Sequence, residues 1–303
     1  MSLATATEPA RAFAAYLDLR PRLPEARFPQ TWHPVGRLPD IAGMFDLVLL
    51  DAYGVLNVGE TPIPGAADSI AALRAQGTSV MVVSNSAGYP KRRMMRRYAR
   101  LGFDFTPDEV VTSREALLAE LARARPRRWG VMLTANPEDT ELEPYDIVYL
   151  GDDRAAYDDV EGFLLIGSDG WTESRQAHLE ASLRRAPRPV LVGNPDLVAP
   201  REDGLSREPG HFAHRLRDAT GIAPDFHGKP FRAIFDLALA RYGGNGRARV
   251  LMVGDTLHTD ILGGAHMGFA TALVTGNGSL TGLDVGAAIA ESGIVPDYVM
   301  VRI

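Results

Sequence analysis

Apolar runs of strand length, separated by stretches of helical periodicity, recur along the chain. Phe45–Asp51 (FDLVLLD) is unbroken and ends in a carboxylate, and Ser79–Asn85 (SVMVVSN) is a second such run. Between them Gly65–Gln76 is patterned as a helix, and a basic helix, Arg92–Leu101, follows. Unbroken rather than alternating apolar strands, interleaved with helices, predict a parallel sheet covered on both faces. From Arg127 the pattern changes. Short strands at Trp129–Thr134, Ile147–Leu150, Gly162–Ile166 and Pro189–Gly193 alternate with loops, including the acidic stretch Glu138–Asp159, and with a helix at Thr172–Arg185. After a helix at Gly210–Thr220 the first pattern resumes: helix Pro230–Tyr242, strand Arg249–Asp255, helix Asp260–Gly268, and strands Thr271–Thr275 and Asp297–Val301. The expected architecture is α/β, a Rossmann-like parallel-sheet core (45–126 and 224–303) interrupted by an inserted α/β domain (127–223). Residues 1–44 form an N-terminal extension with a short helix at Ala10–Leu19 and a proline-punctuated stretch, Pro21–Pro39, that reads as extended. A strap packed against the core is the expected role of that extension.

Composition narrows the function classes. A chain of 303 residues that is 46% hydrophobic and 23% charged can bury a sizeable core, which excludes a disordered class. No apolar run approaches the roughly 18 residues of a membrane helix, and no signal architecture opens the chain, so a cytoplasmic protein without a membrane partner is expected. The absence of cysteine rules out disulfides, thiolate metal sites and cysteine nucleophiles. A net charge of −6 argues against nucleic acid as a partner. Lys91 and Lys229 are the only lysines among 32 basic residues, and in so arginine-rich a chain a retained lysine is a better functional candidate than usual.

Ligands of open parallel sheets bind at the carboxyl ends of the strands. Asp51, Ser84 with Asn85, and Asp255 all fall at such ends, Lys229 precedes a helix, and Asp260 follows Asp255 by five residues. Singly, each reads as a helix cap or turn residue. Jointly they describe one polar crevice suited to phosphoryl transfer. Asp51 and Asp255 offer hard oxygen ligands for Mg²⁺, with Asp260 behind them. Asp51 also has the chemistry of a nucleophile, Ser84 and Asn85 can donate to phosphate oxygens, and Lys229 can offset developing negative charge.

The segments LLDAYGVL, VVSNSAG, HGKPF and VGDTLHTDILGGAHMGF resemble, in that order, motifs I to IV of the haloacid dehalogenase superfamily. Residues 51 and 84 are too close for an insertion, whereas 84 and 229 leave ample room. That layout resembles subfamily IIA, the NagD-like or nitrophenyl-phosphatase-like branch, whose large α/β cap lies between motifs II and III. VGNPDLVAP (Val192–Pro200) is similar to that branch's Asn-Pro-Asp segment at the end of the cap. The resemblance covers roughly Phe45 to Val301. It implies a Mg²⁺-dependent hydrolase acting on a small phosphorylated metabolite through an aspartyl-phosphate. Asp51 would be nucleophile and metal ligand, and Lys229 the catalytic residue that balances charge. The backbone carbonyl of Tyr53 and Asp255 would be further ligands, supported by Asp260. Ser84 and Asn85 would contact phosphate, and Asn194 and Asp196 would face substrate at the cap junction. A homodimer contact through the cap is expected by analogy with the branch.

Phosphatases of this superfamily carry a second aspartate two residues after the nucleophile, which protonates the leaving group. Here that position is Tyr53, and a free phenol titrates near ~10, too high for a base at neutral pH. Three readings stay open. The protein is a phosphatase restricted to good leaving groups or borrowing a proton, with His258 as a candidate donor. Alternatively it binds a phosphometabolite or partner with little turnover. The third reading is a carbon–halogen hydrolase, since dehalogenases of the superfamily also have tyrosine there. Of the remaining features, the arginines of Lys91–Arg100 read as the wet face of a helix whose core stripe is Met94, Tyr98 and Leu101. The segment Thr275–Gly282 reads as a plain loop.

Overall fold

A computed structural model describes residues 8–136, 140–201, 204–243, 246 and 248–303. The first seven residues of the extension and the first two of the acidic stretch from Glu138 therefore lie outside the described residues. Helix α1 (Glu8–Leu19) leads to β1 (His33–Pro34) and the one-turn helix α2 (Pro39–Ala42). Next come β2 (Leu47–Leu50), a small hairpin of β3 (Asn57–Val58) and β4 (Thr61–Pro62), α3 (Ala66–Ala75), β5 (Ser79–Ser84) and α4 (Lys91–Arg100). β6 (Val110–Thr112) and α5 (Ser113–Leu121) close this half. The middle of the chain runs β7 (Trp129–Met132), β8 (Ile147–Tyr149), α6 (Arg154–Asp158), β9 (Gly162–Leu165), α7 (Glu173–Arg185) and β10 (Val190–Val192). A hairpin of β11 (Val198–Arg201) and β12 (Gly204–Arg207), then α8 (Pro209–Thr220) and β13 (Asp225–Phe226), complete it. The last part holds α9 (Arg232–Tyr242), β14 (Val250–Gly254), α10 (Leu262–His266), β15 (Ala270–Val274), α11 (Val285–Ser292) and β16 (Tyr298–Met300).

Two all-parallel sheets result. The first has the order β1-β16-β15-β14-β2-β5-β6 and the second β13-β10-β9-β7-β8. Successive side chains of a strand point to opposite faces, and both faces of the first sheet are covered. Val48, Leu50, Val80 and Val82 pack with Ile70, Leu73, Met94 and Tyr98 on one side, and Leu47, Leu49, Met81 and Val83 with Ile234, Phe235 and Ala238 on the other. The second sheet buries Phe163, Leu165, Val190 and Val192 against α7 and α8. Its opposite face, Trp129, Val131, Leu164 and Leu191, packs on Ala87 and on Leu117 and Leu121 of α5, so the two sheets share an apolar seam.

Two pairings cross the divisions expected from sequence. His33–Pro34, inside the extension, joins the first sheet beside β16, with the His33 amide donating to Asp297 O at 2.9 Å. Asp225–Phe226, expected with the core, pairs with β10 of the second sheet. Strands of two residues carry no periodicity, so nothing local announces them. The segment expected as a helix from Asp260 begins instead as a π turn, Leu257–Ile261, before α10. The apolar pattern gives no sign of β6, α5 and α11, although Thr112 and Glu115 form the capping box that starts α5. Among the described residues no helix is long and apolar enough to cross a membrane.

Candidate active site

Strands β14, β2 and β5 are neighbours at the centre of the first sheet, which brings their carboxyl ends, Asp255, Asp51 and Ser84, to one crevice. Lys229 enters from the turn between β13 and α9. Its Nζ stands 2.7 Å from Asp51 Oδ1 and 2.7 Å from Asp260 Oδ1, almost wholly buried. Asn85 fixes that turn: Lys229 N donates to Asn85 Oδ1 at 2.7 Å, and Asn85 Nδ2 donates to Lys229 O at 3.0 Å and to Asp196 Oδ1 at 2.8 Å. A Cβ on Gly228 would lie 2.5 Å from Asn85 Oδ1, so only glycine admits this approach.

Asp51, Asp255 and Asp260 each offer an oxygen within 4.8 Å of the others'. The π turn aims Asp260 back at the strand end, where its Oδ2 accepts from Thr256 N at 3.0 Å. Burial pushes Asp260 up to about 6 against the pull of Lys229, and it pushes Asp255 well above the ordinary carboxylate range, with Asp260 adding to the rise. Burial opposes the charge on Lys229, but Asp260 and Asp51 outweigh it and hold the ammonium above its usual value. Three crowded carboxylates against one ammonium leave negative charge in excess. Oxygen-only donors of this kind fit a hard divalent cation such as Mg²⁺.

Gly278 and Ser279, in the segment expected to be a plain loop, complete this cradle. Ser279 N donates to Asp255 Oδ2 at 2.5 Å and Ser279 Oγ to Asp255 O at 2.8 Å. Space explains the glycines: a Cβ on Gly278 would sit 2.2 Å from Asp255 Cβ, and one on Gly54 2.7 Å from Asp255 Cγ. The one available signal was position, because this loop follows β15, the strand beside β14.

A cavity of about 530 Å³ opens over these groups. Asp51, Tyr53, Ser84, Asn85, Asn194, Asp196, Lys229 and Asp255 line it, while Asp260 lies beneath. Asn194 acts mainly on its neighbour: its Oδ1 accepts from Asp196 N at 3.0 Å and its Nδ2 donates to Glu208 Oε2 at 3.1 Å. Burial raises Asp196 to about 7, partly countered by the hydrogen bond from Asn85.

Three expectations are corrected. Arg97 of α4 is not on a wet face: it is buried, donates from Nη2 to Tyr53 Oη at 3.1 Å, and binds Gly59 O and Glu60. Helical position alone put it beside Met94 and Tyr98, but the hairpin β3–β4 folds over it. His258, read as a candidate donor, is packed between Phe13 and Tyr16, and burial lowers its pKa to about 4, which disfavours the protonated ring. It serves instead as a stacking platform for Tyr16. Lys91 is structural, bonding Glu115 at 3.0 Å and the carbonyl of Val110.

Comparison with known proteins agrees with this geometry. Residues 48–147 match the family model described as haloacid dehalogenase-like hydrolase, and residues 226–300 a second one described as HAD-hydrolase-like. The chain is 30% identical to chronophin from Bos taurus over 273 residues, covering 86% of this chain and 92% of that protein. It superposes on a p-nitrophenyl phosphatase from Archaeoglobus fulgidus with a TM-score of 0.72 and 26% identity, covering 85% and 96% of the two chains. A glycerol phosphate phosphatase from Mycobacterium tuberculosis, solved in complex with magnesium, is similar with a TM-score of 0.67 and 27% identity, covering 86% of this chain and 76% of that one.

Proposed function

Because the chain belongs to the haloacid dehalogenase-like hydrolases, in the NagD-like branch with a large α/β cap, we propose that it is a Mg²⁺-dependent phosphatase of a small phosphorylated metabolite. The observation that carries this reading is the grouping of Asp51, Asp255 and Asp260 around the buried Lys229 at the floor of the cavity. The phosphatases among its relatives support the substrate class.

Asp51, Asp255 and the backbone carbonyl of Tyr53 would hold Mg²⁺, with Asp260 supporting them. When bound, the cation screens the repulsion between the carboxylates and an anionic phosphate. Asp51 donates an oxygen lone pair to phosphorus, and the bond from phosphorus to the leaving-group oxygen breaks, its electrons going with the leaving group. Lys229 offsets the charge gathering on the phosphoryl oxygens, and the Ser84 hydroxyl and the backbone N–H of Asn85 donate to them. Asn194 and Asp196 hold Asn85, and hence Lys229, in register from the cap side. Water then attacks phosphorus, orthophosphate leaves, and the Asp51 carboxylate is regenerated.

Position 53 offers no carboxyl proton to the departing oxygen. General acid help is typically worth roughly 10²–10⁴ in rate, so this site favours leaving groups that depart as stable anions: aryl, acyl or enol oxides. A second reading, a phosphometabolite- or partner-binding protein with little turnover, draws on the same fact, since Tyr53 Oη is engaged by Arg97. A carbon–halogen hydrolase has no use for the Asp255–Asp260 pair and is disfavoured.

Phosphate release from p-nitrophenyl phosphate and acetyl phosphate, with and without Mg²⁺, decides between the two. Mg²⁺-dependent release that vanishes in Asp51→Asn is expected. Binding of inorganic phosphate without release from either compound would establish the second reading.

A further inference from the structure

We propose that helix α1 is the specificity element of this site, forming an apolar wall that receives the leaving group of an aryl or enol phosphate. The inference rests on the phosphatase reading and extends it to substrate class. Pro9, Ala12, Phe13 and Tyr16 all line the cavity that contains Asp51 and Lys229. Their spacing of i, i+3, i+4 and i+7 is a single helical stripe, so a whole face of α1 is turned to the cavity.

The helix is fixed to both sides of the opening. Tyr16 stacks on His258 of the Asp260 turn, with ring centroids 5.3 Å apart and an interplanar angle of 14°, and Phe13 meets the same imidazole edge-on at 5.7 Å. Tyr16 Oη accepts from Leu197 N at 3.2 Å, next to Asp196, and beyond the helix Arg22 bonds Asp218 of α8 at 2.5 Å. Anchored in this way, α1 presents a preformed surface.

The wall is also chemically distinct from the floor. The charged groups of the floor come from strand ends (Asp51, Asp255), the π turn (Asp260) and the Lys229 turn, whereas Pro9, Ala12, Phe13 and Tyr16 of the α1 stripe add no charge. Phe13 packs against the cluster holding Leu257 and Leu280, which line the cavity as well. A volume of about 530 Å³ lies in the range of pockets that enclose whole small ligands, leaving space beside a phosphate for a ring-sized group. An aryl or enol oxide suits that space and departs without the proton that position 53 cannot give.

Steady-state kinetics on 1-naphthyl phosphate and acetyl phosphate test this in wild type, Ala12→Trp and Phe13→Ala. Ala12→Trp narrows the cavity and should raise the ratio of KM for 1-naphthyl phosphate to KM for acetyl phosphate by roughly tenfold or more. Phe13→Ala removes contact and should move the ratio the same way by about threefold. Unchanged ratios, or equal losses on both substrates, would make α1 a mere strap and overturn the proposal. If wild type hydrolyses neither compound, the phosphatase reading fails by itself, and calorimetry replaces kinetics. Loss of 1-naphthyl phosphate binding in Ala12→Trp, with inorganic phosphate still bound, then supports the wall, and equal binding overturns it.

Discussion

The guanidinium of Arg97 donates to the hydroxyl of Tyr53 at 3.1 Å and lies 5.0 Å from the centre of its ring. One buried arginine thus engages Tyr53, two residues after Asp51 at the edge of the cavity. Arg97 also holds Gly59 O and Glu60, so the hairpin that follows Asp51 is built around the same side chain.

Tyr53→Asp should supply a carboxyl group that can protonate the leaving group. The shorter side chain ends well short of the tyrosine hydroxyl that Arg97 reaches, and Arg97 keeps its other partners. Turnover of glycerol phosphate, a poor leaving group, should rise by roughly 10²-fold, with a smaller gain on p-nitrophenyl phosphate. Equal gains on both would show that proton donation is not what limits the wild-type protein.

Asp51→Asn should cut phosphate release by roughly 10⁴-fold or more, the scale seen when an activated nucleophile is deleted. Mass spectrometry after a rapid quench should detect a phosphorylated protein in wild type and none in this variant.

Lys229→Met should destabilise the protein, because Asp51 and Asp260 lose the ammonium that stands 2.7 Å from each. Breaking a buried pair costs roughly 3–5 kcal/mol, or a Tm lower by on the order of 10 °C. Melting curves in EDTA should show the fall, and Mg²⁺ should recover part of it.

The gain in Tm given by Mg²⁺ should grow with pH. Asp260 is raised from 3.8 to about 6 in the folded chain, so between those values the folded state binds a proton that the unfolded state has released. Without a cation, that contribution to stability is lost as pH rises through the window. A cation needs the ionised carboxylate, so the difference between Tm in Mg²⁺ and in EDTA should be larger at pH 8 than at pH 5. A pH-independent difference would remove Asp255 and Asp260 from the metal site.

Gly278→Ala places a methyl group 2.2 Å from Asp255 Cβ and must displace the carboxylate. Mg²⁺ affinity by calorimetry should fall by roughly 10–100-fold, as when a ligand's outer partner is lost.

The sequence by itself determined the longer central strands, their parallel arrangement and the residues at their ends. An unbroken apolar run is local, and Asp51, Ser84 and Asp255 follow directly from where such runs stop. The order of the four motifs likewise predicted an inserted unit between Ser84 and Lys229. Only the tertiary structure decided which residues meet. Periodicity reports that Met94 and Tyr98 are buried, but not that a hairpin closes over Arg97. It reads Ala10–Leu19 as a helix, but its docking depends on His258 and Leu197, far along the chain. Ser279 reads as loop because its partner, Asp255, stands at the end of the neighbouring strand, 24 residues back along the chain. The burial and shifted protonation of Asp260 and Lys229 arise from that convergence, since a carboxylate's environment is set by neighbours in space.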